Sequence, residues 1–255
     1  MKISKIFLYD EPAIPEIGFS RLRDFLKQTF DVQVEQRKNI FQSANDSIAS
    51  EIAASRIFKT RQPFEKHEPT TEEVSFEKAS FLDSTKTENI VMYDGFEFHK
   101  AITKLIPENE MMSDQFHIIF TNKFTCTYDQ TDFRYHGRAL IASNPSVIST
   151  TGIIEAPAKP KAYYFELISN MTQGLNLESI KKKYQGMYLE YHDAKLSQVV
   201  EGYLLQAIFY YLTGDPFCDK RECRLFNAHW QKDLLYSQLE IAKLCDKHQE
   251  ILNNW

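Results

Sequence analysis

Residues 192–216 read HDAKLSQVVEGYLLQAIFYYLTGDP. Leu196, Val199, Val200, Tyr203, Leu204, Ala207, Ile208 and Tyr211 recur at spacings of three and four, which is the period of one helical face. The segment predicts a long, largely buried helix. Gly214 suits the left-handed turn that ends a helix, and Pro216 cannot continue one.

Working outward from this helix gives a mixed α/β pattern. KISKIFLYD (2–10) reads as a first strand, stopped at the turn signal Asp10-Glu11-Pro12. Ser20 is placed to cap a helix over RLRDFLKQTF, and VQVEQ (32–36) alternates as a second strand. A strand–helix–strand opening suggests an α/β sandwich. Residues 41–89 are polar and turn-rich, and read as an insertion carrying one helix around Ile48–Phe58. QFHIIFTNKF (115–124) has the continuous apolar character of a buried strand. RYHGRALIASN and SVISTTGIIE read as two more strands, joined by the turn Asn144-Pro145-Ser146. AKPKAYYFELISNM (158–171) begins a helix. AHWQKDLLYSQLEIAKLCDKHQEIL (228–252) reads as an amphipathic terminal helix capped by Asn227.

Composition narrows the class. A chain of 255 residues can bury a substantial core without staples. The net charge of −5 argues against a nucleic-acid binder working through a broad basic field. No apolar run approaches the roughly 20 residues that span a bilayer, so no membrane partner is expected. The opening MKISKIFLYDEP is broken too early by charge and proline to be a signal peptide, and the expected location is the cytoplasm.

Cys218 and Cys223 form a C-x4-C pair just beyond the long helix, and Cys245 and His248 form a C-x2-H pair in the terminal one. Residues three apart on a helix share a face, so the second pair can converge on one point. Zinc takes four tetrahedral thiolate or imidazole ligands, often as two close pairs, and a full set of four leaves no open position for water. The pattern therefore fits a structural zinc. Two other readings stand beside it: buried cysteines acting as small hydrophobes, and a redox pair at Cys218/Cys223.

The C-terminal third resembles the archaemetzincins, zinc peptidases of the metzincin clan, which carry HExxHxxGxxHCxxxxCxM and a later cysteine pair. That resemblance implies a single metzincin-like domain over residues 1–255, with a mixed sheet packed by helices. It places Cys218 and Cys223 on CxxxxC and Gly214 on the motif glycine, with Cys245 and His248 near the later pair. The catalytic positions differ. The three zinc histidines fall on Ala207, Tyr211 and Phe217, the glutamate on Ile208, and the methionine on Leu225. Only the structural half of the pattern is present. The chain also resembles an uncharacterised archaeal family described as metallopeptidases, through RYHGR, STTGIIEAPAKP, TGDPFC and CRLFNAHWQ.

A replacement site can be sketched from other residues. Arg134, His136 and Arg138 alternate on one strand face, and Glu155 and Lys159 follow in GIIEAPAKP. Two arginines suit bidentate recognition of a carboxylate or phosphate. His136, Glu155 and His229 are the candidate catalytic groups of a rebuilt hydrolase. Arg134, Arg138 and Lys159 are the candidate ligand-binding groups for a peptide or anionic small molecule. The plainer alternatives are a solvated strand face laced with ion pairs, and a packed histidine beside Trp230.

Overall fold

The computed structural model describes residues 2–254 apart from Ser84 and residues 86–89. The chain opens with β1 (Lys5–Tyr9), α1 (Phe19–Phe30) and β2 (Gln33–Arg37). A 3-10 turn at Ile40–Ser43 leads to α2 (Asp46–Ala54), α3 (Thr71–Ser80), β3 (Met92–Asp94) and α4 (Gly95–Thr103). After a second 3-10 turn (Glu108–Glu110) come β4 (Gln115–Thr121), β5 (Phe124–Asp129), β6 (Arg134–Gly137), β7 (Leu140–Ile141) and β8 (Ser146–Ser149). Helices α5 (Thr150–Glu155), α6 (Lys161–Thr172), α7 (Glu178–Tyr184) and α8 (Leu196–Thr213) follow. The chain then passes through α9 (Gln231–Leu235) and a π-helical turn (Tyr236–Ile241) to α10 (Asp246–Asn253).

Five strands form the main sheet in the order β2-β1-β4-β8-β7, parallel except for the antiparallel edge strand β7. Alternation of side chains divides the core into two layers. Ile6, Leu8, Phe116, Ile118, Phe120 and Ile148 pack with α1 and α8, while Phe7, Tyr9, Ile119 and Val147 pack with α2 and α4. With both faces covered, β1 and β4 carry the near-continuous apolar runs of a buried parallel sheet. A small second sheet has the order β3-β5-β6. The fold class is thus the expected mixed α/β arrangement, with the long helix lying along one face.

Helix α8 spans Leu196–Thr213 and ends at Gly214 in the left-handed conformation, φ 79°. Leu22, Leu26 and Phe30 give α1 its buried stripe, and the cap is Gly18 in place of Ser20.

Three local expectations are corrected. SVISTTGIIE is a strand only to Ser149; Thr150–Glu155 is helix α5, whose Gly152 N–H donates to the Ser149 hydroxyl at 2.8 Å. RYHGRALIASN is two strands in different sheets, β6 beside β5 and β7 beside β8. The turn through Asn144-Pro145 therefore joins β7 to β8, and His136 on β6 belongs to the small sheet. The terminal segment is broken rather than one helix. Ala242 turns left-handed at φ 48°, Cys245 caps α10, and Trp230 rather than Asn227 caps α9.

The polar stretch 41–89 is more ordered than a loose insertion across its described part. Besides α2 it holds α3, started by a reciprocal capping box between Thr70 and Glu73. Glu77 of α3 is fully buried and reaches Lys123 at 2.5 Å and Arg56 at 2.5 Å. The reading of LDSTKTEN as polar and turn-rich falls partly on Ser84 and residues 86–89, outside the described residues.

Candidate metal centre and cleft

The turn after α8 is folded back on itself: the Cys218 N–H donates to the Leu225 carbonyl at 2.9 Å and the Phe226 N–H to the Cys223 carbonyl at 2.9 Å. This brings Cys218 and Cys223 against the start of α10, where Cys245 is the cap and His248 follows one turn in. The ligand atoms of Cys218, Cys223, Cys245 and His248 all lie within 4.8 Å of one another.

The separations fit a tetrahedron. Bonds of about 2.3 Å to sulfur and about 2.0 Å to nitrogen would set ligand atoms roughly 3.5–3.8 Å apart. Cys218 and Cys245 sulfurs are 3.9 Å apart, and His248 Nδ1 is 3.6 Å from Cys223 Sγ and 3.1 Å from Cys245 Sγ. All four cysteines are free thiols. The sulfurs also receive backbone donors, Lys220 N–H to Cys218 and Cys245 N–H to Cys223, each at 3.4 Å. Such donors stabilise thiolate charge.

Electrostatics agree with a site completed by a cation. Burial pushes the Cys223 thiol up to about 12, so in the bare protein it holds its proton. Burial also opposes the Cys245 thiolate, but the His248 N–H and the neighbouring cysteines outweigh it and lower that pKa. Burial lowers the His248 pKa as well, favouring the neutral imidazole that ligates metal. Soft sulfur donors with one imidazole, at these separations, fit zinc.

Beside this centre lies a cleft of about 80 Å³. Its walls are Gly137–Leu140 leading into the edge strand β7, Ala156 and Pro157 after α5, Tyr203 and Gln206 of α8, and Phe217, Phe226, Asn227, Ala228 and His229. Phe217 and Phe226 flank the Cys218–Cys223 turn, so the metal centre and the cleft share a wall. Gln231, two residues beyond His229, is tied to two other segments. Its amide donates to the Ile154 carbonyl at 2.8 Å and accepts from the Leu189 N–H at 3.1 Å. The His229 carbonyl accepts from the Ala158 N–H at 2.8 Å.

Gln206 is only 2% exposed, and its Oε1 has no hydrogen-bond partner. Its Nε2 makes a long 3.5 Å contact to the Phe226 carbonyl. Arg138 donates from Nε to Thr127 Oγ1 at 2.7 Å, and no carboxylate pairs with it among the described residues. Sequence reasoning did not single out Gln206. The signal was an amide set in the uncharged run that ends the helix, GYLLQAIFYYLT.

The candidate residues have different partners. Arg138 and His229 line the cleft. Arg134 and His136 instead share Asp132 on the surface, at 2.6 and 2.9 Å. Glu155, at the end of α5, pairs with Lys159 at 3.6 Å, and Lys159 lies over the rings of Tyr163 and Tyr188. No hydrogen bond or ion pair among the described residues joins His136, Glu155 and His229. The motif positions on α8 are packed: Ala207 and Ile208 are fully buried, and Tyr211 donates to the Ser113 carbonyl at 2.8 Å.

A mixed α/β fold with a three-cysteine, one-histidine cluster beside a cleft defines a protein of the metal-binding class. Its family is narrower. The profile of the "Probable metallopeptidase family (DUF6775)" matches residues 2–255, and the chain belongs to that family. No curated protein matches it. Among solved structures it is similar to a zinc-dependent peptidase from Methanocorpusculum labreanum, at 13% identity and TM-score 0.44 over 98% of this chain and 100% of that one. Among the described residues no helix is long and apolar enough to cross a membrane.

Proposed function

We propose that this chain, read as one metzincin-like domain, keeps a structural zinc on Cys218, Cys223, Cys245 and His248 and uses the adjoining cleft to bind a peptide without cutting it. The observation that carries the reading is the pairing of a complete four-ligand cluster with a helix that offers the cleft no histidine, cysteine or carboxylate. Zinc, when bound, supplies a cross-link between the end of α8 and α10; four protein ligands leave it no site for an activated water. The archaemetzincin resemblance supports the same division, since its cysteine half is matched and its histidine half is replaced by Ala207, Tyr211 and Phe217. Within the cleft, Phe217 and Phe226 offer apolar contact, Arg138 a charge, and Gln206 a buried acceptor. The free thiols suit a reducing compartment such as the cytoplasm.

Elemental analysis tests the metal, and a mixed fluorogenic peptide set tests the chemistry. The expected result is one zinc per chain, lost from Cys223→Ser, with peptide binding and no turnover. A second metal retained by Cys223→Ser together with peptide hydrolysis would overturn the reading.

A further inference from the structure

The cleft is small. Ligand pockets for drug-sized molecules run to roughly 300–1,000 Å³, whereas a single water needs only about 10–15 Å³. A volume of about 80 Å³ has room for a small terminal group.

Its polar groups are of two kinds. Arg138 carries a guanidinium free of any carboxylate among the described residues, and His229 and Asn227 stand beside the cleft with no side-chain partner there. Gln206 offers the opposite character, a buried carbonyl oxygen lacking a donor. A buried acceptor without a donor is costly, and a ligand N–H that reaches it recovers that loss. Cation and acceptor together complement a group that holds a carboxylate and an N–H a few bonds apart. The last residue of a peptide has both.

Building on the binding role proposed above, we propose that the cleft captures the C-terminal residue of a peptide. The carboxylate meets Arg138, with His229 and Asn227 at hand, and the terminal amide N–H donates to Gln206 Oε1. The terminal side chain lies against Phe217 and Phe226. No bond is made or broken.

The test uses the zinc-loaded full chain and an N-terminally fluorescent octapeptide library, randomised at its last two positions, prepared as free acids and as C-terminal amides. Fluorescence anisotropy should show the free acids binding about 10–100-fold tighter, the range for a charge-assisted hydrogen bond. Arg138→Gln should bring the acids down to the affinity of the amides, with zinc content and circular dichroism unchanged. Equal affinity of acids and amides for the wild-type chain would overturn terminal capture while leaving peptide binding in place. An acetylated single amino acid that competes as strongly as a free-acid peptide would overturn it in favour of a small-molecule pocket. Failure of both libraries to bind would remove the binding role itself. Because the acid–amide comparison changes only the ligand, it holds even where a variant folds poorly.

Discussion

Glu77 and Lys123 are 0% and 1% exposed at the side chain, and their ion pair is one of the least solvated features of the molecule. Burial lowers the Lys123 pKa while Glu77 raises it, so the ammonium depends on its partner. Tyr93 also donates to Glu77 at 2.9 Å, and the rings of Phe41, Phe81 and Tyr93 surround the Lys123 nitrogen. Breaking one side of a buried pair strands the other charge, at about 3–5 kcal/mol, whereas removing both can be nearly neutral. Glu77→Leu is therefore expected to lower stability by about that much in urea denaturation, and adding Lys123→Met to restore at least half of it. A double variant no more stable than Glu77→Leu would show that Arg56, and not Lys123, is the partner that matters.

Among the elements, α5 shows how close backbone approach fixes a glycine. A Cβ at Gly152 would lie 2.1 Å from the Arg138 carbonyl oxygen, a backbone atom that cannot swing aside. Gly152→Ala is expected to cost about 2–3 kcal/mol by thermal unfolding, at the upper end for overpacking. The same element marks the limit of sequence reading. SVISTTGIIE is apolar and β-branched, and periodicity alone does not separate a buried strand from a short buried helix. The decision is made by Ser149, whose hydroxyl takes the Gly152 N–H. Elsewhere the local signals were adequate. Helix α8 was legible from its three–four spacing and its Gly214 stop, and β4 from its unbroken apolar run. The terminal segment was not, because its break at Ala242 carries no glycine or proline. It follows instead from tertiary contact, with the Arg224 N–H donating to the Lys243 carbonyl at 2.8 Å. Helix α3 did announce itself, since Thr70 and Glu73 have capping-box spacing, but polar composition masked it.

At the scale of the whole molecule, a cysteine pair and a cysteine–histidine pair separated in sequence meet at one point, and this was readable because ligand type and spacing are chemical and local. The cleft was only half readable. Arg138 and His229 were named from the sequence, but that both line one cleft depends on β6 and β7 entering different sheets. That choice is made by long-range pairing, which no short window of sequence contains. The shared wall between metal and cleft has a further consequence. Where the two proposed guests interact through that partition, whatever factor zinc adds to the hold on a peptide, the peptide adds to the hold on zinc. Saturating free-acid peptide should therefore lower the dissociation constant for zinc several-fold, measured by competition with a metal-sensitive chelating dye. An unchanged constant would mean that Phe217 and Phe226 keep their places without the metal. If the constant does fall, the protein is a coincidence detector, holding each guest most firmly when metal and peptide are present together.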